Sequence, residues 1–303
     1  MSTGRAGHVA RSTIRPHSET SRRAPIRTFL HTADGISIDS VYDRGAAVYD
    51  AGRPSSRDLV FVIAHGFTGD VDRPHVRRIA SAFARYGAVV TFSFRGHGAS
   101  GGRSTVGDRE VLDLAAAVQW ARSFGHARVA TVGFSMGGSV VLRHAALHPP
   151  GGWGRDERDE REGREGRTEA HTAAHTDAVV SVSAPARWYY RGTAPMRRLH
   201  WLVTRPEGRL VGRYGLRTRI HHREWSPVPL SPVEAVPRIA PRPLLIVHGD
   251  RDGYFPLDHP RMLATAAGDQ GELWLEPGMG HAEHAATDEL LARIGDWAVS
   301  RPG

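Results

Sequence analysis

The sequence predicts an α/β fold in which helices cover both faces of a doubly wound, mostly parallel sheet. Apolar, β-branched runs such as LVFVIAHG at residues 59–66 are typical of strands that are buried on both faces of such a sheet. These runs alternate along the chain with segments of helical periodicity, as right-handed βαβ crossovers require. A G-x-S-x-G pattern stands at one junction between a predicted strand and a predicted helix.

The predicted elements follow one another in a regular order. Two short alternating segments flank the turn signal Ala33-Asp34-Gly35 and predict a hairpin of residues 27–32 and 36–42. Buried strands are predicted at residues 59–66, 88–94, 128–135, 177–184, 243–249 and 272–278. Helices are predicted at residues 76–84, 111–121, 136–147, 259–267 and 288–299. We expect all of these elements to belong to one domain, residues 25–300.

Three segments depart from this alternation. Residues 1–24 carry five Arg against one Glu with little apolar content, and they predict a disordered basic tail. Residues 150–176 include RDERDEREGREGR, which cannot bury a face, so we predict a disordered charged insertion. Residues 186–240 mix aromatic side chains with many arginines and are predicted to form a short lid over the C-terminal edge of the sheet.

The composition restricts the classes of function. The 303 residues include no Cys, which excludes disulfides, thiolate metal sites and a cysteine nucleophile. The net charge of +8 would suit a nucleic-acid partner, but every one of the 40 basic residues is Arg. Such uniform usage indicates compositional bias, so we expect no nucleic-acid partner. No apolar run is long enough to span a membrane and the N-terminus lacks a signal-peptide core, so the sequence predicts a cytoplasmic protein.

The strongest local signal is the segment GFSMGG at residues 133–138. Between a β-branched strand and an amphipathic helix, G-x-S-x-G forms a nucleophile elbow, a tight turn that exposes the Ser at the tip of the strand. The glycines on either side let the neighbouring backbone approach closely. An ordinary Gly-rich turn would give the same letters, but the strand and helix around Ser135 favour the elbow.

A serine nucleophile needs a base and an acid that orients the base. Asp252 follows the predicted strand at 243–249 and His281 follows the last strand, so both loops should reach the edge where Ser135 lies. Asp250 is an alternative acid, although we expect it to brace its own loop. His284 stands three residues after His281 at a spacing that metal ligands use, but no third ligand accompanies the pair and we predict no metal site.

Other polar residues near the predicted site have structural interpretations. His65 and His97 lie in Gly-rich loops and are expected to brace them by hydrogen bonds. Asp113 is expected to be solvated or to anchor a loop. The G-x-G pattern around His97 lacks the third Gly of a dinucleotide fingerprint, so we predict no organic cofactor.

Residues 58–300 resemble the α/β-hydrolase family, and most closely its carboxylesterase, monoacylglycerol-lipase and serine-aminopeptidase branch. The segments HGFTG, FRGHGASGG, GFSMGG, HGDRDGYFP and GMGH match five landmarks of that branch in the same order. The resemblance implies an α/β-hydrolase fold with Ser135 as nucleophile, Asp252 as acid and His281 as base. It also implies an oxyanion hole formed by two backbone N–H groups, those of Phe67 and Met136.

The resemblance further implies a serine hydrolase that cleaves a carboxylic ester of a small acyl substrate through an acyl-enzyme, without metal or cofactor. An acyltransferase, an amide or peptide hydrolase with the same triad, and an inactive binding protein remain alternatives. Phe134 stands where the family more commonly has His, and we expect it to alter the pocket wall. The arginines and tryptophans of the lid suit two interpretations, weak association with anionic membrane surfaces or a cap whose arginines are solvated and whose aromatic side chains line the acyl pocket, and we favour the cap.

Overall fold

A computed structural model describes residues 24–45, 58–151 and 173–301 of the chain. The predicted basic tail at 1–24 therefore lies outside the described residues except for its last position, and so does most of the predicted charged insertion at 150–176. The described end of that insertion, residues 173–176, packs against the body, because Ala174 and Thr176 are fully buried.

Within the described ranges, eight strands form one sheet. They are β1 (Ile26–His31), β2 (Ser37–Asp43), β3 (Leu59–Ala64), β4 (Ala88–Phe92), β5 (Arg128–Phe134), β6 (Ala178–Val182), β7 (Leu244–Gly249) and β8 (Gly271–Glu276). Their order across the sheet is β1-β2-β4-β3-β5-β6-β7-β8. The β1–β2 hairpin and the β2–β4 pair are antiparallel, and every other neighbouring pair is parallel. The predicted doubly wound, mostly parallel sheet is confirmed.

Nine α-helices of the described residues connect or follow the strands. They are α1 (Pro74–Phe83), α2 (Glu110–Ser123), α3 (Met136–Leu147), α4 (Ala194–Thr204), α5 (Pro206–Gly215), α6 (Pro232–Ala235), α7 (Asp258–Ala267), α8 (Ala282–Ala285) and α9 (Asp288–Ser300). The local sequence explains several helix starts. Pro74 begins α1, where its missing N–H costs nothing, and the Thr287 hydroxyl accepts the N–H of Leu290 at the start of α9.

Alternate residues of the central strands feed two separate cores. In β3, Val60 and Val62 face the core that α2, α3 and α7 cover, whereas Phe61 and Ile63 face the core beneath α1 and α9. All six residues of β3 are buried because both faces of the sheet are covered. This explains why the strand is a continuous apolar run rather than an alternating one.

The segment between β6 and β7, predicted as the lid, contains α4, α5 and α6. None of these three helices was predicted from the sequence. In α4 the single buried residue is Met196, and in α5 only Gly208 and Gly212 are buried. Neither helix therefore packs a broad apolar stripe against the main core. We refer to residues 186–240 as the β6–β7 segment.

Among the described residues, no helix is both long enough and apolar enough to span a membrane.

A buried ion pair connects the loop after β4 to the body of the protein. The Arg95 guanidinium donates to Asp113 of α2 at 2.8 Å and to Asp34 in the β1–β2 turn at 2.7 Å. Asp113 also accepts the backbone N–H of Arg95 at 2.8 Å, and its side chain is fully buried. Asp113 is therefore a loop anchor and not a solvated charge.

We expect Asp113→Asn to lower the free energy of unfolding by about 3 kcal/mol, because it leaves a buried guanidinium with half of its counter-charge. Urea unfolding followed by tryptophan fluorescence measures the effect. Asp269→Asn, at an exposed position, makes the same chemical change and should leave the unfolding midpoint unchanged. Equal midpoints for both variants would contradict the anchoring role.

Candidate active site

Ser135 occupies a strained turn between β5 and α3. Its backbone has φ 51° and ψ −113°, a conformation that side chains rarely adopt, and its N–H donates to Val182 O at 2.8 Å. A Cβ on Gly133 would lie 2.2 Å from Gly137 O, and a Cβ on Gly137 would lie 2.1 Å from Ala64 O. Only glycine fits at these two positions, so the motif forms the tight turn that its letters predict.

Phe134 does not alter the pocket wall as we expected. It is fully buried in the core beneath α1 and α9 and is absent from the residues that line the cavity described below. The strand alternation at β5 points its side chain into this core, away from the substrate side.

His281 connects Ser135 to Asp252. Its Nε2 lies 2.9 Å from Ser135 Oγ and its Nδ1 lies 2.8 Å from Asp252 Oδ2. Because a carboxylate only accepts, Nδ1–H donates to Asp252 and Nε2 is left to accept the serine proton. Asp252 follows β7 and His281 follows β8, so the two loops meet at the carboxyl edge of the sheet beside the end of β5.

Asp252 is held as a carboxylate by its surroundings. Burial opposes its ionisation, but the hydrogen bond and charge of His281 and the N–H groups of Phe255 and Tyr254 more than offset this, so the pKa of Asp252 is lowered. The two N–H groups donate to Oδ1 at 2.8 Å from Tyr254 and 3.1 Å from Phe255. The other oxygen, Oδ2, is left for His281.

Three residues around the triad were not singled out from the sequence. The Tyr254 ring stacks on the His281 imidazole with centroids 4.2 Å apart, and Phe255 contacts it edge-on at 5.6 Å. His248 is buried, donates from Nε2 to Phe255 O at 2.9 Å and lies 3.6 Å from Asp252. Burial lowers the pKa of His248, so it stays neutral beside the carboxylate. The aromatic pair directly after Asp252 in DGYF was the available signal for the first two.

Phe67 and Met136, the residues expected to form the oxyanion hole, lie close to Ser135. Both residues line the same cavity as Ser135, and Met136 is the first residue of α3, whose positive dipole end points there. A Cβ built on Gly66 would lie 3.3 Å from Ser135 Cβ, which shows how closely the loop before Phe67 approaches the serine. Within the described parts of the chain, neither amide donates a hydrogen bond.

Glu283 is a further residue that sequence reasoning missed. It is about 95% buried, and its carboxylate accepts the N–H of Gly66, the residue before Phe67. This hydrogen bond therefore connects the loop that carries His281 to the loop at Gly66, next to Ser135. The local letters HAEHA gave no signal for this, because a Glu in a short helix usually faces solvent.

The alternative residues take bracing contacts. Asp250 accepts the N–H of Gly278 at 2.6 Å, and His65 donates to Gly66 O at 2.7 Å. His97 donates from Nδ1 to Arg95 O at 3.0 Å, and the His284 ring lies 4.2 Å from that of His75. Among the described residues, no three His, Asp or Glu side chains are grouped as metal ligands would be.

A cavity of about 360 Å³ opens from Ser135 toward the β6–β7 segment, a size suited to a small-molecule substrate. Its walls are largely apolar, with contributions from Trp188, Tyr190, Trp225, Met196, Leu199 and Val203. Its lining also includes four arginines and one acid, namely Arg187, Arg191, Arg209, Arg223 and Glu224. All of these except the half-buried Arg209 are exposed to solvent, and we call this charged, exposed part of the lining the mouth of the cavity. The β6–β7 segment supplies all of these side chains, so this segment shapes the pocket.

The chain is similar to several known proteins in sequence and in structure. A model of the Alpha/beta hydrolase family matches residues 59–294. The chain is 26% identical over 274 residues, 84% of its length, to a monoacylglycerol lipase of Mycolicibacterium smegmatis and covers 92% of that protein. It is also similar to the Pyrococcus furiosus esterase Pf2001, with 21% identity, a TM-score of 0.60 and coverage of 90% of this chain and 91% of the other. The structure of Est1E from Butyrivibrio proteoclasticus with bound ferulic acid gives 19% identity, a TM-score of 0.54 and coverage of 90% of this chain and 100% of the other.

Proposed function

The chain belongs to the Alpha/beta hydrolase family, and on that premise we propose that it is a serine hydrolase that cleaves carboxylic esters. The observation that carries the proposal is the continuous hydrogen-bonded chain from Ser135 Oγ through His281 to Asp252. Relatives described as an esterase and as a monoacylglycerol lipase support the ester as the bond that is cleaved.

The first half of the reaction forms an acyl-enzyme. His281 Nε2 takes the proton of Ser135 as Oγ attacks the carbonyl carbon of the ester, and the positive imidazole is stabilised by ionised Asp252. The negative charge that develops on the carbonyl oxygen is met by the N–H groups of Phe67 and Met136, each worth on the order of 3 kcal/mol in the transition state. His281 then returns the proton to the leaving alcohol as the bond to it breaks.

The second half releases the acid. A water molecule takes the place of the alcohol, His281 accepts its proton, and the hydroxide oxygen attacks the acyl carbon of the Ser135 ester. Collapse of this second tetrahedral intermediate returns the proton to Oγ and frees the carboxylic acid. An alcohol in place of water would make the same site an acyltransferase, and the ratio of acid to transfer product with added alcohols distinguishes the two.

Glu283 would act on this reaction through the loop before Phe67. Its carboxylate holds the Gly66 N–H and so fixes the orientation of the next peptide, whose N–H belongs to Phe67. Oxyanion stabilisation depends on donors that are aligned before the charge develops. Glu283 is therefore a positioning residue, and its loss should affect the transition state more than the binding of the ester.

We expect Ser135→Ala to lower kcat by about a millionfold and Asp252→Asn to lower it by about ten-thousandfold. Hydrolysis of p-nitrophenyl butyrate and labelling by a fluorophosphonate probe measure these effects, and the probe should label Ser135 alone. Asp250→Asn is the matched control, because the Asp250 side chain accepts the N–H of Gly278 and, among the described residues, forms no hydrogen bond with His281. Full activity and full labelling in Ser135→Ala would refute the proposed nucleophile.

For Glu283→Ala we expect kcat to fall by about tenfold while KM changes less than about twofold, since one partly misaligned oxyanion donor costs part of its full contribution. Glu283→Gln keeps a carbonyl oxygen that can accept the Gly66 N–H and should recover most of kcat. Glu289→Gln, at an exposed position of α9, serves as control. A rise in KM at unchanged kcat would show that Glu283 shapes substrate binding instead.

The outer surface of the β6–β7 segment supports a second proposal, weak association with an anionic membrane surface. Trp201 is 48% exposed, Leu210 57%, Val211 50% and Tyr214 75%, all on the consecutive helices α4 and α5. Exposed arginines flank them at Arg198, Arg205, Arg213 and Arg217. Apolar side chains surrounded by cations match the boundary between acyl chains and anionic headgroups.

We expect the protein to sediment with phosphatidylglycerol vesicles at low ionic strength, to be released as salt is added, and to ignore phosphatidylcholine vesicles. Tyr214→Ser should weaken the binding. Phe29→Ser is the matched control, because Phe29 is a similarly exposed aromatic on β1, outside the segment. Failure to sediment with either vesicle would exclude this surface as a lipid-binding site.

A further inference from the structure

We propose that the substrate carries an anionic group, a carboxylate or a phosphate, which the arginines at the mouth of the cavity hold while the ester reaches Ser135. This inference rests on the proposed hydrolase function and deepens it by naming the substrate class: amphipathic esters with an apolar middle and an anionic end. Three features of the cavity support it, and each concerns a different part of the wall.

The first feature is an excess of cations at the mouth that the protein itself does not neutralise. Arg187 pairs with Asp258 at 2.7 Å, but within the described ranges Arg191, Arg209 and Arg223 form no ion pair with a carboxylate. Glu224 is the single acid among the described lining residues. Because every basic residue of the chain is Arg, composition explains the residue type, but it does not explain this local excess.

The second feature is the positive field at this mouth. Slight desolvation and then neighbouring charges lower the pKa of His222, the charges being those of His221, Arg223, Arg103 and Arg209. Burial and then the charge of Arg191 lower the pKa of His200, another lining residue. Desolvation is the larger cause of both shifts, but the neighbouring cations contribute to each, and the same cations would favour a bound anion there.

The third feature is that several polar groups of the cavity wall already donate hydrogen bonds to the protein. The indole N–H of Trp188 donates to Pro229 O at 2.9 Å, and that of Trp225 donates to Thr105 O at 2.7 Å. Lining hydroxyls also donate to the protein, including Thr105 to Glu110 at 2.6 Å and Ser139 to Met136 O at 2.7 Å. The middle of the cavity therefore offers a ligand mainly apolar surface. A charged group of the substrate would be bound by the arginines.

These features indicate which part of the cavity would bind each part of the substrate. Trp188 and Trp225 meet edge-on with centroids 5.1 Å apart and would contact the apolar part. Arg191 and Arg223 would hold the anion, since guanidinium groups bind carboxylates and phosphates through paired N–H donors. The anion could lie on the acyl side or on the alcohol side of the ester, because both halves pass through the same cavity.

The test compares pairs of esters in which a methyl group at one end is replaced by an anionic group. On the acyl side, p-nitrophenyl hexanoate is compared with the p-nitrophenyl half-ester of adipic acid, which replaces the terminal methyl by a carboxylate. On the alcohol side, the hexanoate ester of p-cresol is compared with the hexanoate ester of 4-hydroxyphenyl phosphate, with acid release followed by pH-stat. We expect kcat/KM to rise about tenfold for at least one anionic ester, as for one charged hydrogen-bonded contact, and the gain to shrink with added salt.

The double variant Arg191→Gln with Arg223→Gln should abolish the gain, so that the ratio of kcat/KM between the anionic ester and its neutral partner falls to about one. Arg209 is left unchanged, because it also donates to Thr204 O at the end of α4 at 2.9 Å. Arg85→Gln removes the same charge from an exposed position that does not line the cavity, and it should preserve the gain.

The results distinguish failure of the proposed anion site from failure of the proposed hydrolase function. Neutral esters hydrolysed in a Ser135-dependent way, with no gain for either anionic ester or with a gain that survives the double variant, would overturn the anion site alone. If no ester of either kind is hydrolysed, the proposed function fails and the anion site fails with it.

Discussion

The whole site depends on one steric constraint, the contact between the start of α3 and the strands below it. Gly137 lies so close to Ala64 O, and Gly133 so close to Gly137 O, that no Cβ fits at either position. This approach forces the backbone of Ser135 to φ 51°, and the surrounding hydrogen bonds and core must hold the strain. As a result, the Ser135 side chain projects away from the sheet. The free N–H groups of the first turn of α3 point toward the same side of the sheet.

Strand order then brings the remaining groups to that point. β6 and β7 follow β5 across the sheet, and β8 pairs with β7, so the loops that carry Asp252 and His281 open on the edge where β5 ends. Two further contacts make the loops one unit: the backbone N–H groups after Asp252 fix its carboxylate, and Glu283 joins the His281 loop to Gly66. The parts of the site are thus held by backbone contacts as much as by the triad itself.

The sheet and the grouping of Ser135, His281 and Asp252 could be predicted from the sequence because each leaves a local trace. A strand buried on both faces, such as β3, must be apolar throughout, and a nucleophile elbow must have glycines around its Ser. Glu283 leaves no such trace, because its buried position follows from the approach of a loop more than 200 residues away. α4 and α5 were missed for a different reason: Met196, Gly208 and Gly212 are their only buried residues, so packing against the core hardly constrains their sequence. Phe134 was misjudged because strand alternation, rather than its place beside Ser135, decides which way its side chain points.

The β6–β7 segment carries two proposals that draw on different arginines. Arg191 and Arg223 line the cavity, whereas Arg198, Arg205, Arg213 and Arg217 do not line it and flank the exposed apolar side chains of α4 and α5. The net charge of +8 between residues 187 and 226, ten Arg against two Glu, is therefore divided between an inner and an outer surface. An anionic amphipathic ester would meet the same sign of charge at both, first by long-range attraction and then by direct contact. The apolar wall between the mouth and Ser135 then decides which esters reach the triad, because charge alone attracts anions without regard to the length of their apolar part.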